Sequence, residues 1–133
     1  MEAKNLRIGN FIKDRGNKVI RIDFMEYQES GYSTKFGQRM FLGEEEVHPM
    51  TEYTDYAIPI EITDEWLSKL GFTRDDETDY RWYLLDKSIA YDADDNCIRI
   101  ADSWEFGKRK YVHELQNLFF ALTGNELTIE NEK

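Results

Sequence analysis

Cysteine is nearly missing from this chain: Cys97 stands alone among 133 residues. A single thiol forms no internal disulfide and supplies no Cys-rich zinc site. Basic charge is also short, with 17 Lys and Arg against 27 Asp and Glu and a net charge of −10. A phosphate backbone is held by neutralising it with Lys and Arg, so this balance disfavours direct nucleic-acid binding. It disfavours anionic membrane surfaces equally. A basic partner, or none that is charged, fits better, and the plainest role of the acids is a solvated surface. No apolar run approaches the ~18 residues of a membrane span. The opening MEAKNLRIGN has no apolar stretch behind a basic one, so the expected location is cytoplasmic. A Gly-rich phosphate loop, a GxSxG elbow and an HExxH pair are absent too. No cofactor and no metal are expected.

What the chain does have is apolar and aromatic material. Hydrophobic residues make up 41% of it, and eight Tyr, eight Phe and three Trp bring the aromatic share to 14%. That is enough for a core without disulfides or a structural metal. The length suits one domain, 1–133. Within it, 1–57 reads as β-rich, 58–127 as helix, strands and helix, and 128–133 as a polar tail.

The local signals predict an α+β fold. LRIGNFIK and KVIRIDFMEY are rich in β-branched and aromatic residues, and Asp14-Arg15-Gly16-Asn17 between them has hairpin-turn composition. Ile20, Ile22 and Phe24 alternate with Arg21 and Asp23, the period of a half-buried strand. QESGYSTKFGQ, residues 28–38, reads as a polar loop, RMFL as a third strand and GEEEVHPMTEYTDY as a charged connection. This succession suggests a small SH3-like barrel. In AIPIEITDEWLSKLGF, Thr63 is placed to cap a helix whose first turn holds Asp64 and Glu65. Ile62 and Leu67 occupy staple positions, and Gly71 can end the helix with Phe72 folding back toward Leu67. TRDDETD reads as a charged turn. YRWYLLD, SIAYDA and NCIRIADSW follow as antiparallel strands, Tyr80, Trp82 and Leu84 on one face, Ile98 and Ile100 on another. Val112, Leu115, Phe119 and Leu122, widened by Leu118, then form a helical stripe stopped by Gly124. Positions 113, 116 and 117 would lie on its solvent side.

Candidate chemistry is sparse. Asp92, Asp94 and Asn96 alternate as at the start of a calcium loop, but Cys97 and Ser103 stand where glycine and a bidentate Glu are needed, so a turn is expected. EEEVHP offers carboxylates beside His48 without a second spaced ligand set. His113, Glu114 and Asn117 are pocket candidates, a histidine beside a carboxylate being the material of a general base. No nucleophile is tied to them. Tyr53, Tyr56, Trp104 and Phe106 lie in or beside predicted loops and are the expected interface, since aromatic anchors dominate such surfaces.

Three stretches, NLRIGNFI, PIEITDEWLSKLGF and YVHELQNLFFALTGNELTI, resemble an uncharacterised family of small proteins of Bacteroides-type bacteria, their prophages and mobile elements. The resemblance implies a cytoplasmic single-domain protein carried on phage or conjugative DNA, and it transfers no catalytic residue. The leading expectation is a non-enzymatic module that binds another protein, with its oligomeric state open. The alternatives are an acidic DNA mimic that inhibits a DNA-binding enzyme, or a small-ligand binder or enzyme built on His113 and nearby carboxylates.

Overall fold

The computed structural model describes residues 5–27, 34–38, 41–42, 45–46, 50–77, 79–84, 89–100 and 104–129. In chain order the elements are β1 (Phe11–Lys13), β2 (Val19–Arg21), β3 (Phe24–Tyr27), β4 (Thr34–Gln38), β5 (Phe41–Leu42), β6 (Glu45–Glu46) and β7 (Met50–Tyr53). A short 3-10 turn at Thr54–Tyr56 leads to α1 (Asp64–Lys69), β8 (Thr73–Arg74), β9 (Arg81–Leu84), β10 (Ile89–Asp92), β11 (Cys97–Ile100), β12 (Trp104–Lys108) and α2 (Val112–Thr123). The fold is α+β. Every named ladder is antiparallel and open, and none of the described strands closes a barrel. No described helix is long and apolar enough to cross a membrane.

Two compact units are formed, one by residues 1–60 with 112–126 and the other by residues 61–111 with 127–133. The helix α2, however, belongs with the N-terminal strands and not with the segment that precedes it.

In the first unit β1 and β2 form the expected hairpin, with Ile12 opposite Ile20. Asn17 takes the left-handed conformation at φ 68°. The Asp14 carboxylate accepts from the Lys18 N–H at 2.9 Å, which closes the turn. The run expected as one strand changes partner midway: β2 pairs with β1, and β3 pairs with β4 after the Asp23 N–H has bonded the Gly37 carbonyl at 2.7 Å. Leu6, Ile12, Ile20, Ile22, Phe36 and Ala57 form the core between them.

Two polar stretches expected as loops are strands instead. Residues 34–38 form β4, the middle strand of β3–β4–β7, and β7 occupies residues 50–53. Each is held by pairing on a neighbour rather than by an apolar pattern of its own, and of β4 only Phe36 and Gly37 are buried. Of the third strand expected over RMFL, Phe41–Leu42 form β5, paired with β6, and residues 39–40 lie outside the described residues.

In the second unit α1 forms as the local signals require. The Thr63 hydroxyl accepts from the Trp66 N–H at 3.2 Å, filling one of the helix's open N-terminal donors. At the other end Gly71, at φ 93°, lets its N–H reach the Ser68 carbonyl and the Phe72 N–H reach the Leu67 carbonyl. That bond pair is a Schellman stop. Thr73–Arg74, expected as a turn, pairs with β9 and begins a five-strand sheet ordered β8–β9–β10–β11–β12. Trp82, Tyr91 and Ile98 stand directly opposite one another. Directly opposed residues point to one face, so Trp82 and Ile98 share a buried face rather than lying on two.

Candidate functional site

The helix α2 overturns the expectation about its polar residues. Val112, Leu115 and Phe119 are buried as expected, but His113 is 5% exposed and Gln116 0%, while Leu122 is exposed. The N-terminal turn offers partners to Gln116 and Asn117. Gln116 donates from Nε2 to the Gly9 carbonyl at 2.9 Å and accepts at Oε1 from the Phe11 N–H at 2.8 Å. Its amide therefore bonds the chain at 9–11 as a neighbouring strand would. Asn117 accepts at Oδ1 from Asn10 Nδ2 at 2.9 Å and from Arg7 Nη1 at 3.0 Å, and donates to the Asn5 carbonyl at 3.0 Å. Asn10, fully buried, accepts at Oδ1 from the Arg7 N–H at 2.6 Å. Arg7 also pairs with Glu126, and its guanidinium lies 4.1 Å from the Phe120 ring centroid.

Glycine is required at position 9. Its φ is 98°, and an added Cβ would stand 3.2 Å from the Glu126 carboxylate. Arg7, Gly9, Asn10 and Gln116 were not singled out by sequence reasoning. The available signal was the Gly-Asn pair, whose backbone and side-chain habits suit an irregular, tightly bonded turn.

Of the pocket candidates, Asn117 is thus committed to this clasp. Burial lowers the His113 pKa, opposed by the neighbouring Glu114 carboxylate, so the ring is held neutral at physiological pH. A neutral buried imidazole in a helix packed on strands has the surroundings of a structural residue. Glu114 is half-buried.

The calcium-like segment is a turn, with Asn96 at φ 59° and the Asp95 carboxylate accepting from the Cys97 N–H at 3.1 Å. Asp92 is drawn into ion pairs: Arg81 Nε lies 2.7 Å from Oδ1 and Arg99 Nε 2.7 Å from Oδ2. Burial pushes the Asp92 carboxyl up, but the hydrogen bonds from Arg81 and then Arg99 outweigh it and hold the pKa below its ordinary value. Asp92, Asp94 and Asp95 come close enough together to suggest a cation site. Both Asp92 oxygens are already engaged, and the set fits two arginines better than a metal.

The aromatic candidates divide. Tyr53 lies in β7 and Trp104 and Phe106 in β12, but their side chains fall outside the described residues, as do residues 47–49 with His48. Tyr56 is 46% exposed, and the Arg15 guanidinium lies 4.0 Å from its ring centroid. Beside it the backbone at Ile58 pairs with β1: the Lys13 N–H bonds the Ile58 carbonyl at 2.9 Å and the Ile58 N–H returns to the Lys13 carbonyl at 2.8 Å. Lys13 stands opposite Val19 on its other side. Compared with protein-family models, curated proteins and solved structures, the chain matches none.

Proposed function

We propose that this chain is a non-enzymatic protein-binding module that meets its partner through the surface around Tyr56. The observation that carries the reading is the exposed Arg15–Tyr56 stack. Tyr and Arg are the residue types that most often dominate interface energies. A pair already stacked has less side-chain freedom to lose on binding. The family resemblance would place that partner in a phage or mobile-element system of the bacterial cytoplasm.

The DNA-mimic alternative needs carboxylates arrayed at phosphate spacing. Asp23, Glu61, Glu65, Asp79, Asp92 and Glu126 each pair with a cation, which weakens such an array. A ligand binder or enzyme built on His113 would have to reach a buried ring, and no observation favours it over the interface.

The test is capture of partners from the host lysate by the tagged full-length chain, read by mass spectrometry beside Tyr56→Ala. The expected result is one stoichiometric partner retained by the unaltered chain and strongly depleted by the variant at unchanged Tm. Equal capture by both, or defined turnover of a metabolite by the pure protein, would remove the proposal.

A further inference from the structure

We draw no further inference here: the strongest candidate, the apolar surface patch of Val19 and Ile58 on either side of Lys13, carries nothing, because nothing in the structure shows what covers it.

Discussion

A glutamine with no exposed surface must satisfy both ends of its amide, and Gln116 does so on one stretch of chain, at Gly9 and Phe11. Replacing it with Met keeps the volume but strands the half-buried Gly9 carbonyl and the buried Phe11 N–H, each costing ~1–3 kcal/mol. Gln116→Met should therefore lower the unfolding free energy by about 2–4 kcal/mol in chemical denaturation, and a loss under ~0.5 kcal/mol would show that water fills the gap. Asp92 makes a different case. Its folded pKa is depressed, so its stabilisation is present above the unfolded value of ~3.9 and is lost as pH falls through the folded one. The protein should lose stability in acid below that value, and Asp92→Asn should flatten this part of the profile. The variant should cost ~1.5–3 kcal/mol at neutral pH, less than a fully buried pair, because the Arg81 and Arg99 side chains keep 24% and 27% of their surface. His113 acts in a higher window. Its pKa is lowered by burial, so the unfolded chain protonates first and stability falls as pH drops through ~6.5. His113→Gln should remove that slope.

At the scale of elements, α1 is governed by its ends. Six residues are too few to hold a helix by propensity, so the Thr63 cap and the Gly71 stop carry much of the work beside the buried Trp66 and Leu67. Thr63→Ala should cost about 1 kcal/mol in thermal or chemical unfolding, and Thr63→Ser almost nothing. All of these parts were legible in ITDEWLSKLGF, because capping and stopping are settled within a few neighbours. β4 and β7 were not legible. TKFGQ and MTEY have little alternation, and they become strands through bonds to each other and to β3. The orientation of α2 was half legible. Val112, Leu115 and Phe119 announced the buried side, but a histidine and a glutamine are ordinarily read as solvated, and the glutamine's burial depends on groups at residues 9–11.

For the whole molecule, the division into two units sets where a local change is felt. Leu115 is buried in α2, and Leu115→Ala should cost ~2–5 kcal/mol. The loss should fall first on the unit to which α2 belongs. Amide exchange at Ile12, Ile20 and Ile22 should accelerate more than at Ala90 and Tyr91 in β10. Equal acceleration in both sets would show one cooperative body. The candidate interface was legible only in part at this scale. Tyr56 stood out as an aromatic beside a loop, whereas its stack with Arg15 joins residues from separate segments and has no pattern in the linear chain.

The sequence by itself determined the α+β class, the β1–β2 hairpin, the capped helix α1, the antiparallel run β9–β11 and the extent of α2 to its stop at Gly124. Each follows from turn residues, caps and periodicities that act over a few positions. Only the tertiary structure decided that α2 joins the N-terminal strands, that Gln116 and Asn117 face inward, and that Asp92 pairs with both Arg81 and Arg99. Those outcomes turn on the cost of burying a polar group, which is set by its partner. In the α2 clasp those partners lie more than a hundred positions away along the chain.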